Sequence, residues 1–198
     1  KRLFVCCDGT WQNASGTVAP LTNVARLARC VDRYGYDKLK LPNVDSVKRG
    51  DIDPEEYAGV VPQLVYYSSG IGTQSALPFD KGLSGAIGKG VTSNILSAYC
   101  FICNNYNFAS EMDEIVLVGF SRGAFTVRCL ASFISEVGLL RRKGLTFLRI
   151  LFQHWLLQET GPLKDKIDTL KKGPFNLLRS AKIKVLAEWD TVSAMGLP

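Results

Sequence analysis

Apolar runs of strand length alternate with segments of helical periodicity along this chain. Four runs predict β-strands: Arg2–Cys7, Gln63–Tyr67, Ile115–Val118 and Ile183–Ala187. The third run is apolar without interruption, which is typical of a strand in the middle of a parallel sheet. The alternation predicts an α/β fold with a mostly parallel sheet and helices on both faces.

Segments with a helical repeat separate these strands. Apolar residues at positions 24, 27, 28 and 31 recur at i, i+3, i+4 and i+7, behind an N-cap at Thr22 or Asn23. A glycine-rich segment, Gly82–Gly90, leads into a second helix, and a third helix is expected to end at Gly138. The polar segment Tyr36–Pro62 is predicted to be an exposed loop with one helical turn.

The third strand runs directly into the sequence Gly119-Phe120-Ser121-Arg122-Gly123. A G-x-S-x-G pattern between a buried strand and a helix is typical of the nucleophile elbow of α/β-hydrolases, in which a strained turn lifts the serine Oγ above the sheet edge. Gly119 and Gly123 permit the close packing of strand and helix that this turn needs. We therefore predict that Ser121 is a nucleophile; the alternative is a serine in an ordinary strand-to-helix turn.

Three further candidate residues, Asp8, Gly70 and Asp190, follow the other predicted strands. Open α/β sheets bind ligands at the carboxyl ends of their strands, so we expect these residues to converge with Ser121, with Asp8 and Gly70 lining the site. Asp190 follows Ser121 at the end of the next strand, as the acid of a Ser-Asp-His triad should. The alternative for Asp190 is a helix N-cap.

An oxyanion hole requires backbone N–H groups, one of which usually belongs to the residue after the nucleophile. Here that residue is Arg122. The second donor is expected in the loop after the first strand, at Gly9 and Thr10. The alternative for these two residues is a tight turn that binds no ligand.

The chain contains one histidine, His154, which lies between Ser121 and Asp190 in the apolar segment Leu145–Leu157. A surface or packed role is expected for it, and the triad histidine is expected beyond Pro198. Residues 1–198 are then a single hydrolase domain that is incomplete at its C-terminus and inactive alone.

The apolar segment Leu145–Leu157 is predicted to be a lid or a membrane-facing helix, unless it packs on two sides within the domain.

Composition is that of a folded domain, since 46% hydrophobic residues stand against 21% charged residues. The net charge of +6 is a mild positive excess that favours anionic surfaces such as membrane headgroups. The sequence lacks the basic stripes of a nucleic-acid-binding protein.

The adjacent cysteines Cys6 and Cys7 indicate buried free thiols, and Cys100 and Cys103 with one histidine do not complete a metal site. We expect a cytoplasmic protein without a metal or cofactor.

Four blocks of the chain resemble the signature blocks of the type VI secretion phospholipase effector-like (Tle type) catalytic domain, an α/β-hydrolase family of bacteria and fungi. The blocks are Cys6–Asn13, Tyr66–Thr73, Gly119–Ala124 and Glu188–Val192. The resemblance, which is to fungal members, covers nearly the whole chain. It implies a Ser-Asp-His esterase with Ser121 as nucleophile, Asp190 as acid and the histidine beyond the acid. Bacterial members act on phospholipids, so the resemblance implies an ester or lipid substrate.

Two other enzyme classes fit the sequence poorly. A phosphatase of the haloacid dehalogenase type begins with D-x-D-G-T, and here Cys6 replaces its nucleophilic aspartate. A P-loop requires glycine at position 83 and serine or threonine at position 90, where this chain has Leu83 and Gly90. A hydrolase fold that serves as an inactive interaction module stays open as the alternative to an enzyme.

Overall fold

A mixed five-stranded sheet lies at the centre of the protein. The structure is a computed structural model that describes residues 1–10, 20–38, 58–70, 90–109, 112–172 and 176–192. The sheet strands are β1 (Arg2–Cys7), β2 (Tyr34–Lys38), β3 (Ala58–Ser68), β4 (Glu114–Phe120) and β7 (Ile183–Trp189), and their order across the sheet is β2-β3-β1-β4-β7. Strand β1 is parallel to β3 and β4, β4 is parallel to β7, and only β2 is antiparallel to its neighbour. The carboxyl ends of four strands therefore meet at one edge.

Helices cover both faces of this sheet. They are α1 (Asn23–Cys30), α2 (Val91–Asn105), α3 (Arg122–Val137), α4 (Leu148–Leu156) and α5 (Thr160–Lys172), with a 3₁₀ helix (Arg142–Phe147) before α4. A small antiparallel pair, β5 (Leu139–Leu140) with β6 (Leu178–Arg179), follows α3. Thr22 is the N-cap of α1 and Gly138 ends α3 with φ 95°, as the sequence predicts.

Alternation along β1 explains why the apolar residues form two hydrophobic clusters. Val5 and Cys7 face the larger cluster, which they share with α2 and α3. Cys6 points to the other face and packs with Val24 of α1 and Val118 of β4. The expected α/β fold with a mostly parallel sheet is confirmed, and the helices that begin at its carboxyl edge are placed around the candidate site.

The segment Tyr36–Pro62 differs from the prediction of a loop, because its two described ends are strands. Strand β2 pairs with the first half of β3, with Tyr34 opposite Pro62. A proline and interspersed glycines lower the local strand propensity, so the pattern is typical of a loop. The antiparallel pairing at the sheet edge overrides that local preference. Residues 39–57, like Gly82–Lys89, lie outside the described residues.

Helix α4 packs within the domain and does not form the predicted lid. Phe152 is fully buried, and its ring lies 5.3 Å from that of Phe133 on α3 and 5.5 Å from that of Trp155. The helix also contacts α5 on its other side. Two packed sides account for its excess of apolar residues, which a single core-facing stripe does not need. Within the described ranges, the helices are too short or too polar to cross a membrane.

Charged side chains connect three strands near the amino ends of the sheet. Glu114 of β4 accepts a hydrogen bond from Arg2 Nε of β1 at 3.0 Å and pairs with Lys184 Nζ of β7 at 3.2 Å. Burial alone would raise the pKa of Glu114, but the hydrogen bonds and charges of these two cations lower it. Glu114 is thus a carboxylate that stabilises the strand pairing in its ionised form.

Candidate active site

Ser121 stands in a sharp turn between the last residue of β4 and the first residue of α3. Its backbone has φ 55° and ψ −119°, a conformation that residues other than glycine rarely adopt. Non-glycine residues in this region occur where surrounding structure holds the strain, and such positions cluster at functional sites. The backbone at Ser121 is therefore strained at the point where β4 passes into α3.

Two glycines allow α3 to begin directly against the sheet. A Cβ atom on Gly123 would lie 2.2 Å from the carbonyl oxygen of Cys7, the last residue of β1. A Cβ atom on Gly119 would lie 2.6 Å from Cα of Ala124. Both distances are shorter than any real contact of such atoms, and both involve backbone that cannot move aside. The turn at Ser121 therefore requires glycine at these two positions.

The backbone of Ser121 is hydrogen-bonded on both sides of Asp190. Its N–H donates to the carbonyl oxygen of Trp189 at 2.9 Å, and its own carbonyl oxygen accepts from the N–H of Val192 at 3.4 Å. Asp190, between these partners, also has a positive φ of 44° and an exposed side chain. The two candidate triad residues thus lie on adjacent turns at the carboxyl ends of β4 and β7.

A side-chain network next to Asp190 was not anticipated from the sequence. Arg128, in α3, forms an ion pair with Glu188, and its Nε lies 3.0 Å from Oε2 of that carboxylate. The hydroxyl of Thr191 donates to the same Oε2 at 3.3 Å. Glu188 and Thr191 are two residues before and one residue after Asp190. The network therefore ties the turn that carries Asp190 to the helix that follows Ser121.

Asp8, directly after β1, is buried, and its carboxylate accepts hydrogen bonds from three of the described residues. Its side chain is 3% exposed and accepts hydrogen bonds from the hydroxyls of Tyr67 and Thr22, each at 2.7 Å, and from the N–H of Gly9 at 3.0 Å. Burial, followed by the hydrogen bond to the Asp8 carboxylate, raises the pKa of Tyr67, so the phenol stays a donor. Asp8 thus connects β1, β3 and the start of α1 at the carboxyl edge of the sheet.

Gly9 brings the loop after β1 into contact with the serine turn. A Cβ atom built on Gly9 would lie 3.1 Å from Cβ of Ser121 and 2.9 Å from Cδ1 of Phe120. Its N–H, one of the predicted oxyanion donors, is bonded to Asp8 in this structure. Thr10 follows and is half-buried. On the opposite side, the N–H of Arg122 is the first in α3 and has no acceptor one turn earlier in the helix.

His154 lies far from Ser121. Its Nδ1 is 2.5 Å from Oε2 of Glu159, and the neighbouring Trp155 donates from Nε1 to Glu136 at 3.0 Å. Glu136 is in the last turn of α3, about 22 Å along the helix axis from Ser121 at 1.5 Å per residue. His154 therefore has the packed surface role expected for it, and it does not reach the serine.

The two cysteines at the end of β1, Cys6 and Cys7, are not competing nucleophiles. Burial, with a smaller contribution from the charge of Asp8, raises the pKa of Cys6 to about 12. Burial likewise raises the pKa of Cys7 well above its ordinary value. Because the thiolate is the reactive form, both side chains act as buried apolar groups.

A cavity of about 440 Å³ opens beside the serine turn, between the start of α1 and the ends of β4 and β7. Its walls are Pro20–Val24, Arg26, Phe120, Trp189 and Asp190. Gly70, the remaining predicted site residue, is buried at the end of β3. The other residues of two sequence blocks, positions 11–13 and 71–73, lie outside the described residues.

The model of the family described as "T6SS, Phospholipase effector Tle1-like, catalytic domain" matches residues 1–198, which confirms the resemblance in the four sequence blocks. The uncharacterized protein YEL023C of Saccharomyces cerevisiae is 26% identical over 222 residues, an alignment that covers 100% of this chain and 27% of the yeast protein. The chain thus spans about a quarter of that relative. No solved structure matches residues 1–198 of this chain. A family defined by phospholipase catalytic domains supports a hydrolase function.

Proposed function

Because this chain belongs to the Tle1-like phospholipase effector catalytic-domain family, we propose that it is a serine hydrolase domain that cleaves carboxylic ester bonds of phospholipids. The observation that carries the proposal is the strained turn at Ser121, whose backbone is hydrogen-bonded to residues on both sides of Asp190. A serine and an acid on adjacent strand ends are the arrangement that a Ser-Asp-His mechanism needs.

In the proposed reaction, the Oγ of Ser121 attacks the ester carbonyl carbon and transfers its proton to a histidine. The tetrahedral intermediate collapses, the bond from carbon to the glycerol oxygen breaks, and the imidazolium protonates the leaving oxygen. Water then hydrolyses the acyl-enzyme by the same base and releases a fatty acid. Asp190 orients the imidazole and stabilises its charged form. His154 pairs with Glu159, and its neighbour Trp155 contacts Glu136 at the end of α3 that lies far from Ser121, so we propose that the histidine of the mechanism is another residue, outside residues 1–198.

The oxyanion hole is proposed at the junction of two backbone segments. The N–H of Arg122 comes from the start of α3, and the second donor is the N–H of Thr10, because the N–H of Gly9 is engaged by Asp8. Gly9 contributes by having no side chain, which lets the loop after β1 approach Ser121. Asp8, held by Tyr67 and Thr22, keeps that loop in place and takes no part in proton transfer.

The test is product analysis with the full-length protein on phosphatidylcholine vesicles. Cleavage through Ser121 releases fatty acid and lysophospholipid, whereas cleavage at the phosphate would release diacylglycerol or phosphatidic acid. Ser121→Ala should abolish fatty-acid release, and Ser132→Ala, on an exposed face of the same helix, should leave it intact. Headgroup products, or activity retained in Ser121→Ala, would exclude the proposal. A well-folded full-length protein without esterase activity would favour the interaction module.

A further inference from the structure

The cavity beside the serine turn has walls of two chemical kinds. Leu21, just before α1, and Val24, in its first turn, line the cavity together with Phe120 and Trp189 from the strand ends, which gives a mainly apolar lining. Trp189 is 44% exposed, although large aromatic side chains are ordinarily covered. The volume of about 440 Å³ lies in the range of small-molecule sites, and such sites are mainly apolar with a few placed polar groups.

The cavity directly adjoins the reacting positions of the proposed mechanism. Phe120 is the residue before Ser121, and Asp190, which also lines the cavity, is the proposed acid. A group bound in this cavity is therefore adjacent to the ester bond that Ser121 would attack. The cavity is thus placed to hold the part of a substrate that continues from its ester.

Arg26 is the one cationic side chain among the described residues that line the cavity. It lies in the first turns of α1, is exposed, and has no acidic partner among the described residues. A guanidinium presents donors that match phosphate oxygens in a bidentate geometry. The guanidinium lies on the α1 side of the cavity and the Asp190 carboxylate lies on the β7 side. A mainly apolar wall with an unpaired guanidinium on its α1 side is complementary to a molecule that joins an alkyl chain to a phosphate.

We propose that this cavity binds the substrate phospholipid through one apolar chain, packed against Phe120 and Trp189, and through its phosphate, paired with Arg26. The inference rests on the proposed function and adds to it the places where the alkyl chain and the phosphate of the substrate bind. It makes Arg26 a specificity-determining residue, because an uncharged ester of equal chain length has no anionic group to form an ion pair with the guanidinium.

Binding can be measured without catalysis by the fluorescence of Trp189 in full-length protein carrying Ser121→Ala. Dodecyl phosphate below its micellar concentration should shift the emission to shorter wavelength as its chain covers the indole. Hexyl phosphate should bind at least about tenfold more weakly, because each buried methylene adds affinity. Neutral dodecyl maltoside should bind more weakly than dodecyl phosphate, and inorganic phosphate alone should cause no shift. Trp189→Phe should remove the signal.

The matched pair Arg26→Gln and Arg33→Gln isolates the charge effect, since both remove one exposed arginine and only Arg26 lines the cavity. Arg26→Gln should weaken dodecyl phosphate binding about threefold to fivefold, as expected for a partly exposed ion pair. Arg33→Gln should not change it. Equal weakening by both variants, or no shift with dodecyl phosphate, would overturn the inference. Because the assay contains no turnover, this result is independent of whether Ser121 is the nucleophile.

Discussion

The backbone N–H of Ser121 donates to the carbonyl oxygen of Trp189 at 2.9 Å, which fixes the serine turn to the residue that precedes Asp190. Ser121 and Asp190 both have positive φ angles, 55° and 44°. Each conformation costs energy that the surrounding hydrogen bonds must offset. The hydrogen bonds between the two turns hold the proposed nucleophile and the proposed acid in fixed positions relative to each other. A substitution that distorts one turn should therefore also displace the other.

Asp190→Asn should lower kcat of the full-length protein by about 10⁴, because in the proposed mechanism an amide cannot hold the imidazole in the required tautomer. The melting temperature should stay close to that of wild type, since the Asp190 side chain is exposed. The measurement is steady-state hydrolysis of a soluble short-chain ester. A loss of less than tenfold would show that Asp190 only shapes the turn.

Glu188→Gln should lower kcat by roughly tenfold to a hundredfold with little change in KM, because it loosens the turn that positions Asp190. Arg128→Gln removes the other partner of the same ion pair, so the double variant should lose no more than the worse single variant. Glu159→Gln is the control, since this glutamate pairs with His154 far from the site. Additive losses in the double variant would contradict a shared network.

Gly123→Ala should reduce the free energy of unfolding by about 3 kcal/mol or more, because its Cβ would lie 2.2 Å from the carbonyl oxygen of Cys7. Gly161→Ala is the matched control: a Cβ there has no neighbour within 4 Å, and stability should change by less than about 1 kcal/mol. Urea denaturation of both variants gives the comparison. Equal stability of the two would show that α3 does not pack as closely on β1 as described.

The dependence of stability on pH should carry a contribution from Glu114. Its folded pKa lies below the ordinary value of 4.5, so the unfolded chain binds protons more readily. The stabilisation is present above about pH 4.5 and is lost as the pH falls through the folded pKa. Glu114→Gln should flatten the denaturation profile over this acid range, whereas Asp165→Asn, an exposed residue of α5, should leave its shape unchanged.

The sequence predicted those features whose causes are local. An uninterrupted apolar run and two glycines determine where β4 ends and α3 begins, because no other residue fits at Gly123. Strand β2 was missed because its stability comes from pairing with β3, and a strand of weak propensity gains its hydrogen bonds only from that partner. The sequence leaves both a lid and a packed helix open for the segment that forms α4, because composition does not reveal that α3 and α5 cover two of its sides.

Side-chain partners at the site could not be predicted from spacing. The three described donors to Asp8 are Gly9, which is the next residue, Thr22, which caps α1, and Tyr67 of β3. Tyr67 is 59 residues away and reaches Asp8 only when β1 and β3 pair in the parallel sheet. Arg128 and Glu188 are 60 residues apart and are joined by the packing of α3 on β7. The sequence predicts that Asp8 and Asp190 lie at one edge, while the fold determines that one is buried in hydrogen bonds and the other is exposed.

Labelling by a fluorophosphonate probe, followed by mass spectrometry of the modified peptide, tests the central claim most directly. The claim is that Ser121 is an activated nucleophile, and such probes form a covalent bond only with a serine whose proton is removed by a nearby base. In the full-length protein we expect a single adduct on Ser121, lost in Ser121→Ala and strongly reduced in Asp190→Asn. An adduct on another residue, or no adduct in correctly folded protein, would contradict the account.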